Sequence, residues 1–328
     1  MSIHILKQGL FDSIQDHGRY GYQHLGINPS GVMDMIAASV ANLLTGNECN
    51  EPVIEMHYPA ASIYFEKACI IALSGGDFTP CINNEPVPIN NTLVVAKDSI
   101  LSFDKYKNGA RVYLAVQGGY DVNEWLSSYS TNIKAKAGGY HGRALQKNDI
   151  IHCRAEQFVF SSLPAASFIV TPVAVSTDPL YNTTNIIRCI KGDAFENLQS
   201  NSQQKFATGT LSISRQSDRM GYRLEGHDLS LIDNTSMLSS AVTKGSIQLL
   251  PDRQLIVLMA DHQTTGGYPV IAHVISADIP AMAQMQPGAA MQFQFISVNE
   301  AEDIYLSQQQ YLQQLKDACI LGLKQFLS

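Results

Sequence analysis

The chain has 328 residues, with 22 Lys or Arg against 29 Asp or Glu, so its formal net charge is −7. Apolar residues make up 45% of it, which excludes a disordered chain. The acidic balance and the absence of a Lys/Arg run argue against a protein that binds nucleic acid or a membrane surface. The length allows one large domain or two of roughly 150 residues each.

The first predicted element is a helix from about residue 32 to 44, with Ser30 as its N-cap and Gly46 just past its end. Short strands rich in β-branched and aromatic residues follow. These strands are predicted at residues 62–65, 69–73, 92–96, 111–116 and 255–259. Glycine and asparagine pairs separate many of them, as expected for turns.

A second helix is predicted from about Asn299, where Ser297 and Glu300 fit a capping box. Two helices among a dozen short strands indicate a mainly β protein. Apolar runs are about six residues long, far short of the roughly 20 that span a bilayer. The start of the chain lacks the features of a signal peptide, so we expect a cytoplasmic protein without a membrane segment.

An internal repeat predicts two related domains. The matches are RYGYQHLG at 19–26 with RMGYRLEG at 219–226, IEM at 54–56 with IQL at 247–249, and the Gly-Gly pairs at 75–76 and 266–267. They occur in the same order at offsets of 200, 193 and 191 residues, which is typical of a duplication. We therefore predict domains at 1–170 and 171–328, with the seam near 163–168 or 173–185 and the C-terminal helix in the second domain.

Several standard site motifs are missing from the sequence. It contains no Walker-type phosphate loop, no dinucleotide-binding glycine motif and no hydrolase or zinc-protease motif. Six cysteines lie at least twelve residues apart without Cys/His ligand spacing, so we expect no metal site.

Polar residues concentrate in three segments of the second half, at 214–223, 239–248 and 261–268. The last follows a predicted buried strand, and its glycines allow a ligand to approach the backbone. These segments predict a polar pocket at the mouth of a barrel. The alternative is structural, with Asp218 and Arg219 as a buried ion pair and Thr264 and Thr265 satisfying turn N–H groups.

A counterpart in the first half gives a second candidate site. It comprises Gln15, Asp16, Arg19 and Asp34, which could form an acid/base or anion-binding group. A duplicated barrel would also keep such residues for folding, and this alternative remains open.

Seven motifs together resemble one family. They are IQDHGRYGY at 14–22, PSGVMD at 29–34, AVQGG at 115–119, GRAL at 142–145, SDRMGYRLEG at 217–226, QTTGGYP at 263–269 and ADIP at 277–280. The chain resembles the C subunit of prokaryotic ATP-dependent 5-oxoprolinase, also described as the biotin-dependent carboxyltransferase or allophanate hydrolase subunit 2 family. It is also similar to the carboxyltransferase part of urea amidolyase.

The resemblance implies two tandem cyclophilin-like β-barrels with few short helices. It implies an enzyme subunit that works with subunits A and B to open 5-oxoproline to glutamate, with ATP handled mainly by a partner. On this hypothesis Asp218 or Asp261 is the acid/base and Arg219 the carboxylate or oxyanion clamp. The expected substrate-binding residues are Tyr222, Gln248, Gln263, Thr264, Thr265, Gly266, Gly267 and Tyr268.

Two other functions remain possible at this point. One is a carboxyltransferase that uses biotin on a separate carrier and a urea-like acceptor. The other is a regulatory protein that binds a kinase inhibitor resembling the B subunit. The sequence also departs from the family at four places: Tyr129 and His262 each replace an Arg, Ala241-Val242 replaces an acidic-Gly pair, and Val270 replaces a Lys. The lost cations put carboxyltransferase chemistry in doubt.

Overall fold

Short β-strands dominate the computed structural model, which describes residues 1–154, 167–182, 184–233 and 238–327. The chain forms two compact units. The first contains Met1–Arg19, Asp34–Thr177 and Gln310–Ser328, and the second contains Tyr20–Met33 and Asp178–Gln309. Residues 163–166 of one predicted seam lie outside the described residues. Within the described stretches, no helix is long and apolar enough to cross a membrane.

Two six-stranded sheets make up the first unit. The strands are β1 Ser2–Lys7, β2 Ser13–Gln15, β3 Val53–His57, β4 Ser62–Phe65, β5 Cys69–Asp77, β6 Pro80–Ile82, β7 Glu85–Pro86, β8 Asn91–Val95, β9 Ser99–Phe103, β10 Asn108–Val116, β11 Ile150–His152 and β12 Phe168–Ala174. Their orders in the two sheets are β11-β1-β4-β9-β6-β7 and β12-β8-β5-β10-β3-β2.

One apolar core fills this unit. Successive side chains of β10 point alternately into this core and toward a helix. Val112 and Leu114 of β10 lie in the core with Leu73 of β5. On the opposite face, the Tyr113 hydroxyl accepts a hydrogen bond from the Asp34 N–H and donates one to Glu55. Helix α1, Met35–Leu44, begins there and packs on β5 and β10. The two-residue period of a strand explains this division.

The second unit contains a closed seven-stranded barrel in the order β13-β20-β17-β18-β15-β14-β21. A two-stranded ribbon of β16 and β19 accompanies it. The strands are β13 Ile186–Lys191, β14 Leu211–Ile213, β15 Gly221–Glu225, β16 Ser240–Ala241, β17 Ser246–Leu249, β18 Leu255–Leu258, β19 Thr265–Gly266, β20 Val270–Val274 and β21 Ala290–Phe295. Helix α2, Ser200–Thr208, stacks its Phe206 ring on Phe293 of the barrel core at 5.0 Å.

The strands of the sequence prediction are confirmed, and the fold is mainly β. The capping box is confirmed too, because the Ser297 N–H donates to Glu300 and the Glu300 N–H donates to the Ser297 hydroxyl at the start of α4, Val298–Leu327. Two helices were missed. Helix α2 has few buried apolar residues, and α3, Ile279–Ala283, has only five residues, so neither gives a long apolar stripe.

The predicted cap of the first helix is wrong. Asp34 caps α1, and its Oδ1 accepts a hydrogen bond from the Ala37 N–H at 2.9 Å. An N-cap residue must be extended directly before the first turn, which Asp34 is. Ser30 instead has a φ of 58° and donates its hydroxyl to Asp261.

Asp12 makes the stability of the first unit depend on pH. Its buried carboxylate accepts hydrogen bonds from the N–H groups of Gly9, His57 and Ala61 at 3.1, 3.3 and 2.9 Å. Burial raises the pKa of Asp12 to about 7, because the loss of water outweighs these hydrogen bonds. The folded protein therefore holds a proton that the unfolded chain releases above about pH 4.

We expect the free energy of unfolding to fall as pH rises from about 4 to about 7, and Asp12→Asn to have a shallower slope over this range. Urea unfolding followed at a series of pH values measures both slopes. Equal slopes for the two proteins would contradict the assignment.

Candidate functional site

A row of side chains crosses three barrel strands on the outer face of the second unit. The strand register places Arg223 of β15 opposite Ile256 of β18, and Ile256 opposite Gln248 of β17. Residues that face each other across paired strands lie on one side of a sheet. The neighbouring Tyr222 and Val257 point into the apolar core. The row therefore faces outward.

The row forms the floor of a cleft of about 330 Å³, a size in the range of small-molecule sites. The cleft is lined by Met220, Arg223, Gln248, Leu250, Pro251, Asp252, Ile256, Leu258, Gln263 and Tyr268. Three of the predicted substrate-binding residues, Gln248, Gln263 and Tyr268, thus come together. They lie on the outside of the barrel and not at its mouth, because the inward positions of the same strands are filled by the core.

The Gln248 amide is the deepest polar group of the cleft. It is buried, yet its two hydrogen bonds are long: Nε2 donates to the Tyr268 carbonyl at 3.4 Å, and Oε1 accepts from Gln263 Nε2 at 3.4 Å. Both exceed the usual 2.7–3.2 Å of a protein hydrogen bond. Glycine lets the loop lie close above it, because a Cβ on Gly266 would lie 2.6 Å from the Gln248 amide nitrogen and the amide would have to move. The amide is therefore tightly covered but weakly bonded.

The other predicted substrate-binding residues lie elsewhere. Tyr222 is in the core, and Thr265 is exposed and pairs with Ala241 in the ribbon. The Thr264 carbonyl accepts from the Val242 N–H at 3.2 Å. Across the described chain, the cleft lining includes none of Tyr222, Thr264, Thr265, Gly266 and Gly267.

The buried Arg219 forms a bidentate ion pair with the partly buried Asp261. Arg219 Nε donates to Asp261 Oδ2 at 2.9 Å, and Nη2 donates to Oδ1 at 3.2 Å. The same Nη2 reaches the Gly31 carbonyl at 2.6 Å, and the Ser30 hydroxyl donates to Asp261 Oδ1 at 2.7 Å. Parallel Arg–carboxylate hydrogen bonds are among the strongest in proteins. The pair therefore fastens residues 30–31 to the barrel.

Lys244 also holds this segment against the barrel, because its ammonium donates to the carbonyls of Val32 and Met33 at 3.0 and 2.9 Å.

Asp218 takes no part in this ion pair. It is exposed, and its Oδ1 accepts from the N–H groups of Met220 and Gly221 at 2.7 and 3.3 Å within a turn. The predicted ion pair between Asp218 and Arg219 is therefore wrong. Arg219 pairs with Asp261 instead.

The second candidate site, in the first unit, is a network of internal hydrogen bonds. The buried Asp16 carboxylate accepts from the Gly18 N–H at 2.8 Å, the Tyr129 N–H at 2.6 Å and the Ser128 hydroxyl at 2.7 Å, and also from the Ser130 hydroxyl. These bonds hold the loop that contains residues 128–130.

The other three residues of this candidate site are also buried; they are Gln15, Arg19 and Asp34. The Gln15 amide donates to the Ser13 hydroxyl at 3.0 Å. Arg19 is fully buried, donates to the Ser130 carbonyl and lies 4.6 Å over the Trp125 ring. Asp34 caps α1. All three thus make hydrogen bonds within the protein, although the buried Gln15 Oε1 accepts none within the described chain.

The four departures from the family pattern lie in both units. Tyr129 donates its N–H to Asp16, and Ala241 is exposed in the ribbon. Val270 is the strand partner of Gln248, so a Lys at this position would place a cation beside the cleft. His262 is buried, and burial lowers the pKa of its imidazole. Among the residues that line the cleft within the described chain, Arg223 is the one arginine.

Sequence reasoning missed Arg223 and Asp252. Arg223 alternates with the apolar Tyr222 and Leu224, which marks it as outward-facing, but an outward Arg usually points only to solvent. Asp252 lies in the turn between β17 and β18. The folded chain brings the two side chains within 3.6 Å of each other in the lining that also contains Gln248, and no local sequence pattern indicates this contact.

We expect Arg219→Gln to destabilise the protein by about 2–3 kcal/mol, because the partly buried Asp261 carboxylate would lose its cationic partner. Asp218→Asn is the matched control and should cost under about 1 kcal/mol, since an amide oxygen can still accept the turn hydrogen bonds. Denaturant unfolding measures both values. Equal losses in the two variants would contradict the assigned pair.

Comparison with known proteins identifies the family. Residues 25–295 match the family described as carboxyltransferase domain, subdomain A and B. The chain is 34% identical to the C subunit of 5-oxoprolinase from Haemophilus influenzae, over 93% of this chain and 94% of that protein. For the C subunit of 5-oxoprolinase from Escherichia coli the identity is 33%, over 95% and 96%. The structure of Kluyveromyces lactis urea amidolyase matches with a TM-score of 0.87 and 27% identity over 96% of this chain, which spans only 20% of that chain. The chain therefore belongs to the carboxyltransferase domain family, together with the 5-oxoprolinase C subunits.

Proposed function

We propose that this chain is a subunit of a cytoplasmic, ATP-dependent 5-oxoprolinase that opens 5-oxoproline to glutamate with partner subunits A and B. The observation that carries the proposal is the end-to-end match to two proteins named as C subunits of 5-oxoprolinase, which covers more than nine-tenths of each protein compared. The urea amidolyase match, in contrast, covers a fifth of that protein. All six cysteines are free thiols, in keeping with a cytoplasmic complex.

The proposed architecture is a tandem of two cyclophilin-like barrels. The closed seven-stranded barrel of the second unit supports one of them, and the two six-stranded sheets around a common core in the first unit support the other. The cleft on the second barrel is the proposed substrate site.

The chemistry of the substrate explains why ATP is required. A lactam is a stable amide, and activation of its carbonyl oxygen lets water open the ring. Donors aimed at that oxygen stabilise the charge that develops on it. The partly exposed Gln263 amide supplies such a donor in the cleft. The sequence has no Walker-type loop, so the proposal places ATP mainly on a partner subunit.

Among the proposed catalytic residues, geometry favours Asp218 over Asp261 as the acid/base. The Asp261 carboxylate is held by Arg219 and Ser30, so taking a proton would weaken the ion pair. Asp218 is exposed and lies two residues before Met220 of the cleft. Arg219 then acts by positioning this segment.

We expect the purified chain, combined with its two partner subunits, to release glutamate from 5-oxoproline in the presence of ATP. Asp218→Asn should lower kcat by about 100-fold, the usual worth of general acid–base catalysis, without changing subunit association. Glutamate release and co-purification are the two measurements. Full activity of the complex without this chain would refute the proposal. Unchanged kcat with intact association would favour a regulatory protein that binds a kinase inhibitor resembling the B subunit.

A biotin-dependent carboxyltransferase is the second candidate, favoured by the close structural match to urea amidolyase. The partly exposed Gln263 amide carries both a donor and an acceptor, which also suit the ureido ring of biotin. The sequence lacks a Met-Lys-Met tripeptide, so biotin would have to come on a separate carrier. Binding of a biotinylated carrier, without binding of 5-oxoproline, would select this function.

A further inference from the structure

The cleft has a simple charge pattern. Of its lining residues, all within the described chain, Arg223 is the one cation and Asp252 the one carboxylate. The other polar side chains are the amides of Gln248 and Gln263 and the hydroxyl of Tyr268, and the rest of the lining is apolar. A ligand that fills this cleft needs an apolar body, a group that pairs with amides and an anionic group for the cation.

Arg223 is held only loosely. Its Nη1 lies 3.6 Å from Asp252 Oδ2, beyond normal hydrogen-bond length, and the two side chains are 37% and 52% exposed. Exposed pairs of this kind contribute little to stability. Arg219, four residues earlier in the same motif, has both nitrogens on Asp261 and a side chain that is 8% exposed. Of these two arginines, Arg223 is the one that a ligand can recruit.

The spacing of the row fits a small ring. Neighbouring strands lie about 4.8 Å apart, so Arg223 and Gln248 are separated by about 10 Å with Ile256 between them. A five-membered lactam that carries a carboxylate is small enough to lie over Ile256, with its carboxylate toward Arg223 and its amide toward the partly exposed Gln263, which hydrogen-bonds to Gln248. The planar guanidinium matches a carboxylate in two parallel hydrogen bonds.

We propose that Arg223 binds the carboxylate of a small cyclic amide in this cleft, and that the ligand takes the place of Asp252 as its partner. The inference rests on the proposed function and deepens it, because it assigns the carboxylate to Arg223 and not to Arg219. Asp252 then lowers affinity, since its charge repels the incoming carboxylate and competes for the guanidinium.

Binding of 5-oxoproline and of 2-pyrrolidinone, the same lactam without a carboxylate, tests the inference. Ligand-observed NMR on the full chain gives Kd, and glutamate release by the complex gives KM. We expect Arg223→Gln to weaken 5-oxoproline by about 10- to 100-fold and to leave 2-pyrrolidinone unchanged. Arg223→Lys should lose less, and Asp252→Asn should bind 5-oxoproline about threefold more tightly. Arg215→Gln removes an exposed arginine outside the cleft and is the matched control.

Three binding results would overturn the inference. In the first, Arg223→Gln binds 5-oxoproline as tightly as Arg215→Gln does. In the second, the wild-type protein does not prefer 5-oxoproline over 2-pyrrolidinone. In the third, neither the chain nor the complex binds 5-oxoproline. The relative affinity of the wild-type protein for 5-oxoproline and 2-pyrrolidinone tests the inference even if Arg223→Gln fails to fold. An active complex with unchanged KM in Arg223→Gln removes this inference alone. If the complex releases no glutamate but the chain still binds 5-oxoproline in an Arg223-dependent way, the proposed function alone is refuted.

Discussion

The ion pair between Arg219 and Asp261 is the constraint on which the second unit depends. It joins the segment just before β15 to the loop after β18, and it also receives Ser30 and the Gly31 carbonyl from a distant part of the sequence. A buried guanidinium requires a partner that satisfies its donors, so these chain segments must meet in one arrangement. The same constraint sets where Met220 and Gln263 stand, and these residues form two sides of the cleft.

The cleft follows from the pleat of three neighbouring strands. Tyr222, Val257 and Ile247 fill the barrel core, which leaves their neighbours Arg223, Ile256 and Gln248 on the outside. The Gln263–Tyr268 loop then covers Gln248, and it can do so because Gly266 has no side chain. Two arginines of one motif thus have different roles: Arg219 is committed to a carboxylate of the protein, and Arg223 faces a space that a ligand can occupy.

Much of the fold was predictable where periodicity is strong. The strand at 111–116 and the capping box at Ser297 follow from local residue patterns. In the structure, too, they depend on residues close together in sequence: a run of β-branched and aromatic residues in the strand, and hydrogen bonds between Ser297 and Glu300 in the cap. The internal repeat was less informative about local structure. Residues 221–225 form a strand, whereas the matching first-half segment includes a short 3₁₀ helix at Gln23–Leu25 and belongs to the second unit. Similar sequences adopted different structures because one copy pairs with β18 and the other does not.

The amino-acid sequence by itself determined the family, the mainly β character and the two polar segments that supply Gln248, Gln263 and Tyr268 to one cleft. These properties depend on residue types and on local spacing, which are visible along the chain. The tertiary structure alone decided which acid pairs with Arg219, that Asp16 is occupied by neighbouring hydroxyl and N–H groups, and that Arg223 faces the cleft. Each of these depends on strand register and on contacts between residues far apart in sequence, and charge pairing at such distances leaves no periodic signal.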